Sequence, residues 1–290
     1  MNRFFFAISL FSLLTACALV VDINAQTRAP APKPAPKATP PRPAPPRPAA
    51  AAPKVERQVP FKLGETLGYD ISWSSFMTAA TATVSVKEKK ASYDSLAYYI
   101  VAEGQPTAFV AALYKLYYKA DTLLDAYTLL PQRGSLYSRE SGRQHLRATR
   151  FMQEAHKAQY EVQSGATLAN VDSRLELQIP AATQDAVSAI FALRAMDLKP
   201  GQAVVMPLSI NGQTYRVRVV TGNRETVNCG LGSINAWKLT PSLLDEQNGE
   251  SDAQNMAIWI SDDARRLPVL MQADFAVGTF KLTLRSATGI

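Results

Sequence analysis

The densest charge cluster in the folded part of the sequence is Asp262-Asp263-Ala264-Arg265-Arg266. Two carboxylates beside two guanidinium groups suit a hairpin turn, in which the acids cap backbone N–H groups and pair with the arginines. The same residues, Asp262, Asp263, Arg265 and Arg266, could instead form a polar rim at a ligand mouth. A metal ion would have to compete with the arginines for those carboxylates. His145 and His156 are the only histidines. Their separation fits no zinc motif, and no HExxH or CxxC occurs. Gly230-Leu231-Gly232-Ser233 looks like part of a phosphate loop but precedes a strand, so it lacks the helix N-terminus that would hold a phosphate. No GxSxG elbow is present. The sequence therefore nominates no catalytic residues, no metal ligands and no cofactor.

One enzymatic alternative stays open. A hydrolase of an envelope polymer would need two carboxyl groups within about 10 Å in a cleft. Carboxylates such as Glu65, Asp70 or Asp263 could serve it.

The aromatic residues suggest a different chemistry. Tyr69, Trp73, Trp237, Trp259 and Phe275 fall in strand-like stretches, while Ala79, Ala80, Thr81, Ala82 and Thr83 make a run of small side chains. A rolled sheet with a small-residue wall facing an aromatic wall leaves an apolar pocket unless large side chains fill it. Those five aromatic residues are the expected pocket.

The elements that would position these residues are mostly strands. From Leu267, the apolar residues Val269, Met271, Ala273 and Phe275 alternate with mostly polar ones, and Phe280, Leu282 and Leu284 repeat the pattern. Strand side chains alternate between faces, so period two means one dry face and one wet face. Ile258-Trp259-Ile260 is apolar on both faces. Leu67, Tyr69, Ile71 and Trp73 alternate in the same way, and further strands are read over 77–87, 96–103, 115–125, 128–138, 143–152 and 157–162. Pro106 to Tyr114 reads as a short helix or crossing turn. Asn211-Gly212 between 203–210 and 213–220 is a strong hairpin signal. Strands at 225–229 and 234–240 precede the final three. One main helix is expected at about 183–196, with Val187, Ile190, Phe191 and Arg194 on one face and prolines bracketing it. The fold class is all-β with minor α: a large curled antiparallel sheet or a closed or half-open β-barrel of about 10–14 strands. So many strands rarely stay in a flat open sheet.

Residues 1–25 read as an export signal peptide, with Arg3 before the apolar run Phe4 to Val21. Leu14-Thr15-Ala16-Cys17 gives a lipobox alternative in which Cys17 is acylated. A third alternative is an uncleaved anchor, since eighteen helical residues span about 27 Å against a hydrocarbon core of roughly 30 Å. All three place the remainder in the periplasm or otherwise outside the cytoplasmic membrane. Residues 26–57 form a Pro/Ala/Lys/Arg-rich linker with eleven prolines between Ala29 and Pro53. Proline removes backbone donors, so the linker is expected to be disordered and extended, about 75 Å at roughly 3.1 Å per residue. Residues 58–290 form the β-rich domain. The net charge is +7, of which the linker holds +6, so the domain is near neutral. That distribution argues against nucleic acid and allows the linker to rest on anionic envelope polymers. Cys229 is the only cysteine after the leader, which excludes an internal disulfide. Nothing in the residues specifies an oligomer.

Several motifs taken together resemble a bacterial family. These are Phe61-x-x-Gly64-Glu65-x-Leu67-x-Tyr69, the helix DAVSAIFALRAMDLKPGQ, then ING, Gly232-x-Ile234-x-Ala236-x-Lys238-Leu239-x-Pro241, and IWISDDARRLPV with a later Gly278. The set is similar to the domain of unknown function 3108 family over about residues 60–286. The resemblance implies an exported, β-rich envelope domain and supplies no activity. The expected role is a non-enzymatic module that binds a lipid or other hydrophobic or amphiphilic envelope component. The alternatives are a structural or assembly module working through a protein partner, and the polymer hydrolase.

Overall fold

The computed structural model describes residues 54–74, 77–113, 115–245, 249–252, 256–275 and 278–290. The leader with Cys17, the linker up to residue 53, Tyr114 and Val277 lie outside the described residues. The chain runs through β1 (Thr66–Trp73), β2 (Met77–Ser92), β3 (Ser95–Pro106), α1 (Ala108–Leu113), β4 (Leu116–Asp125), β5 (Pro131–Glu140), β6 (Arg143–Met152), β7 (Lys157–Gly165) and β8 (Ser173–Gln178). It continues through α2 (Ala186–Arg194), β9 (Ala203–Ile210), β10 (Gln213–Cys229), β11 (Gly232–Asp245), β12 (Gly249–Asp252), β13 (Ala257–Ser261), β14 (Pro268–Phe275) and β15 (Gly278–Thr288).

All the strands belong to one antiparallel sheet, fourteen of them in a single path from β8 through β1 and β15 to β9, with β12 beside β11. The strands are joined mainly by hairpins, so neighbours in sequence pair in space. Pairing of β1 with β15 joins the first and last strands. The sheet rolls, because residues from β1, β5, β7, β9 and β14 meet around one interior. It does not close, because β8 and β9 form no ladder with each other. A strap of chain spans the seam instead. Gln184 N donates to Pro207 O and Ser209 N donates to Gln184 O, both at 2.8 Å. The Gln184 amide donates to Leu129 O at 3.1 Å, and the Gln153 amide to Thr183 O at 2.8 Å.

This strap also explains why the helix is shorter than the sequence pattern. Gln184 is engaged as a bridge to β9 and Asp185 keeps extended dihedrals, so α2 starts at Ala186. Asp185 and Ser188 form a capping box. The helix lies inside the roll. Ala189, Ala192 and Leu193 pack against Trp237, Leu239, Ile258 and Ile260. Phe191 meets Phe61, Tyr98 and Ile100.

Sequence and structure differ at three strands. Pattern reading splits β10 in two; a bulge between Thr221 and Arg224 lets it run on as one strand. β8 escaped notice because this edge strand is almost wholly exposed, so it has no dry face to signal it. β12, Gly249–Asp252, also went unread; GESD carries no apolar alternation. The double-faced apolar character of β13 has a clear cause. Ile258 and Ile260 face α2, while Trp259 packs with Val227 and Ala236 of the folded-over β10–β11 hairpin.

The tip of that hairpin is pressed onto β15. Gly230 N donates to Leu284 O at 2.7 Å, and a Cβ at Gly230 would sit 2.0 Å from Arg285 O. Gly230→Ala is expected to cost about 3 kcal/mol, the upper end for forced overpacking, because backbone and not a flexible side chain would have to yield. Urea unfolding of the variant checks it; a cost below about 1 kcal/mol would mean the tip swings away freely.

Candidate functional site: a cavity inside the rolled sheet

The roll surrounds a partly open cavity of about 220 Å³. Leu67, Tyr69 and Ile71 of β1 form one wall. Small residues form the next: Ala82, Ala102, Ala120 and Gly134, with Ala102 and Ala120 directly paired across β3 and β4. The small wall expected at 79–83 therefore contributes Ala82, and the neighbouring strands extend it. Val187, Ile190, Phe191 and Arg194 present the predicted helical face to the cavity. Ile258, Met271 and Leu282 complete the apolar lining.

Two polar groups of residues border it. At one, the Arg194 side chain is completely buried against Glu65. Nη1 and Nη2 donate to the two carboxylate oxygens at 2.6 and 2.9 Å. Nε donates to Arg266 O at 2.9 Å and Nη2 to Arg265 O at 3.2 Å. The guanidinium also lies 5.0 Å from the Phe191 ring and 5.5 Å from Phe61. The result is a bidentate ion pair, with an acceptor for each guanidinium nitrogen, that ties α2 to the start of β1 and to the β13–β14 turn. Tyr69 donates to Pro268 O at 2.9 Å nearby, and burial raises its pKa well above the usual phenol value.

The other polar group collects at the seam. Asp185 accepts from Ser188 N at 2.7 Å and from Thr122 Oγ1 at 2.6 Å. Burial nevertheless pushes its pKa up to about 6, with those hydrogen bonds pulling the other way. Gly134 makes room for it, since a Cβ there would meet Asp185 Oδ2 at 2.7 Å. Arg147, Thr149, Tyr160 and Ser209 line the same region. Arg147 and Thr149 share the inward face of β6 through their pairing with Leu136 and Gly134 of β5. Tyr160 pairs with Thr149 from β7, and Gly212 at the β9–β10 tip packs onto its ring. Asn211 and Gly212 both take positive φ, as a type I′ turn demands, and Gly212 leaves no Cβ to strike the tyrosine.

Of the five aromatic residues expected to form the pocket, Tyr69 lines the cavity. Trp73 stacks on Phe280 at 6.0 Å, and Phe275 meets the same ring edge-on at 5.7 Å, so these two come together elsewhere. Trp237 is packed between α2 and the β9–β13 region under the Arg224 guanidinium, 4.5 Å away. Trp259 points from the opposite face of β13 to the cavity-lining Ile258 and donates to Glu225 Oε2 at 2.7 Å. Strand alternation accounts for Trp259 alone. Trp73 and Phe275 share a face with the cavity-lining Ile71 and Met271 but sit at the ends of their strands, and Trp237 lies opposite Ile260 on the face that packs on α2.

Asp262, Asp263, Arg265 and Arg266 form the β13–β14 turn, and none lines the cavity. Asp263 accepts from Ser261 Oγ at 2.8 Å and Arg265 N at 3.0 Å and pairs with the Arg265 guanidinium; Asp262 pairs with Arg224 at 2.9 Å. Their link to the site is through main chain, the two carbonyls that hold Arg194. The three candidate acids occupy three separate ion pairs: Glu65 with Arg194, Asp70 with Arg285 at 3.2 Å, and Asp263 with Arg265. His145 and His156 stand at opposite ends of β6, the latter in a left-handed turn. Cys229 is half-buried beside the hairpin tip. Sequence reasoning missed Asp185, Arg147, Tyr160 and Ser209, because they come from four elements that meet only when the sheet rolls.

Three solved structures are similar in outline. A beta-barrel-like protein of domain of unknown function DUF1849 from Brucella abortus has 14% identity and a TM-score of 0.47, covering 78% of this chain and 97% of that one. An inferred exported protein with a YmcC-like fold from Bacteroides fragilis has 10% identity and a TM-score of 0.32, covering 81% and 100%. An inferred lipoprotein from Parabacteroides distasonis has 6% identity and a TM-score of 0.31, again covering 81% and 100%. No curated protein sequence matches the chain. Among the described residues, no helix is long and apolar enough to cross a membrane. The family described as "Protein of unknown function (DUF3108)" matches residues 68–285, and the chain belongs to that family.

Proposed function

We propose that the protein is a non-enzymatic, extracytoplasmic module whose rolled sheet holds the apolar part of a lipid or other amphiphilic envelope component. The observation that carries this is the cavity itself, lined by Ile71, Ala82, Ala102, Ala120, Ile190 and Leu282 and left unfilled by their side chains. Native interiors are close-packed, and an apolar void forfeits contacts on every side. A chain that keeps one of about 220 Å³ is therefore poised to regain those contacts from a guest. The size selects the guest. Ligand sites usually run from roughly 300 to 1,000 Å³, so this one suits a single short chain or chain segment and not a two-chain lipid. The acids of the hydrolase alternative are each committed to an arginine, which favours the binding role. The leader read from the sequence supports a place outside the cytoplasmic membrane.

The test is binding of an uncharged apolar fluorophore such as N-phenyl-1-naphthylamine to the full chain, with mass spectrometry of what co-purifies. Ala120→Trp places a large ring in the small-residue wall and is expected to weaken fluorophore binding at least tenfold while circular dichroism stays that of the parent. Unchanged binding would move the site elsewhere, and absence of binding in the parent would end the proposal.

A further inference from the structure

We infer that Arg147 is the anchor for the singly charged carboxylate of a single-chain amphiphile whose tail lies in the cavity. This rests on the binding role above and names the chemical class of its ligand. Among the described residues, four charged side chains contribute to the lining: Asp121, Arg147, Asp185 and Arg194. Three are already answered within the protein. Arg194 is neutralised by Glu65. Asp185 caps α2 and accepts from Thr122. Asp121 accepts from Ser135 Oγ at 2.8 Å and faces Arg133 at 3.8 Å. Arg147 has no carboxylate partner among the described residues; it donates a hydrogen bond to the Tyr160 hydroxyl, whose pKa burial still raises.

A guanidinium on the inner face of a rolled sheet is costly unless something pairs with it. Arg147 is half-buried and lines the cavity beside Tyr160, on which the β9–β10 tip packs. A second polar group there has no partner of any kind among the described residues. Ser209 Oγ is buried, has no hydrogen-bond partner, and belongs to a residue only 4% exposed that lines the same cavity. A carboxylate at the seam would accept from the guanidinium fork, with the serine hydroxyl as a further donor. One unanswered cation matches one negative charge. The nearby Asp185 repels a doubly charged head more strongly than a singly charged one, which favours a carboxylate over a phosphate monoester. The cavity volume limits the tail to one chain.

The experiment compares laurate, dodecanol and dodecyltrimethylammonium as displacers of N-phenyl-1-naphthylamine from the full chain at pH 8, where laurate is ionised. Equal tails isolate the head. Laurate is expected to displace at least tenfold more effectively than dodecanol, with the ammonium weakest. Arg147→Gln is expected to abolish the laurate preference while fluorophore binding persists, and Arg147→Lys to restore part of it. A parent protein that binds the fluorophore yet treats laurate and dodecanol alike overturns the head-group assignment and leaves the cavity role standing. So does an Arg147→Gln variant that keeps the preference. The parent comparison needs no variant, so a misfolded substitution does not block the answer. A parent that binds neither fluorophore nor laurate overturns both readings together.

Discussion

Glu65→Ala is expected to destabilise the protein by about 3–5 kcal/mol, the range for removing one partner of a buried ion pair. The acid and Arg194 are each 1% exposed, so water cannot replace the lost carboxylate. The guanidinium would keep its bonds to the carbonyls of Arg265 and Arg266 but would carry an unanswered charge in an apolar setting beside Phe61 and Phe191. Arginine cannot shed its proton to escape this. For a domain of this size the loss corresponds to a fall in melting temperature on the order of 10 °C. The double variant Glu65→Leu with Arg194→Met should recover most of the stability, because a well-packed apolar pair often matches a buried ion pair. What it should not recover is the placement of α2, since no apolar side chain can bind the two carbonyls of the β13–β14 turn. Denaturant unfolding of the parent, Glu65→Ala and the double variant measures the first effect and fluorophore binding the second. A cost under about 1 kcal/mol for Glu65→Ala would mean that water enters this end of the roll.

The second large effect is a pH dependence centred on Asp185. Its pKa rises from the ordinary 3.8 to about 6 in the fold, with burial as the dominant cause. The native state then holds the proton more tightly than the unfolded chain. Its contribution is fully present below about pH 3.8 and is lost as pH rises through about 6. A shift of this size is worth about 3 kcal/mol. Asp263 shifts in the opposite direction, held below the usual carboxylate range by Arg265 and Ser261 despite partial burial. The raw stability curve therefore mixes opposing slopes. Asp185→Asn isolates the one of interest, because asparagine can still cap the helix but does not titrate. The stability of the parent relative to that variant should fall by about 2–3 kcal/mol between pH 4 and pH 7. A flat difference across that range would show that solvent reaches the carboxylate.

The amino-acid pattern by itself determined the material of this fold. Alternation in Leu67 to Trp73 and Leu267 to Leu284 made strands, and Asn211-Gly212 made a hairpin, because the side-chain period and the positive φ of such a turn are local properties. The helical face of Val187, Ile190, Phe191 and Arg194 was legible for the same reason, and all four reach the cavity. Tertiary structure alone decided which side of each strand became the inside. Trp259 and Ile258 are adjacent and equally apolar, yet only Ile258 looks into the cavity, because the β10–β11 hairpin folds back to cover the other face. It also decided that an arginine from β6, a tyrosine from β7, a serine from β9 and the aspartate capping α2 would meet at one seam. Their meeting depends on the bulges and long-range pairings that set how far the sheet turns before its edges approach, and no window of neighbouring residues carries that angle.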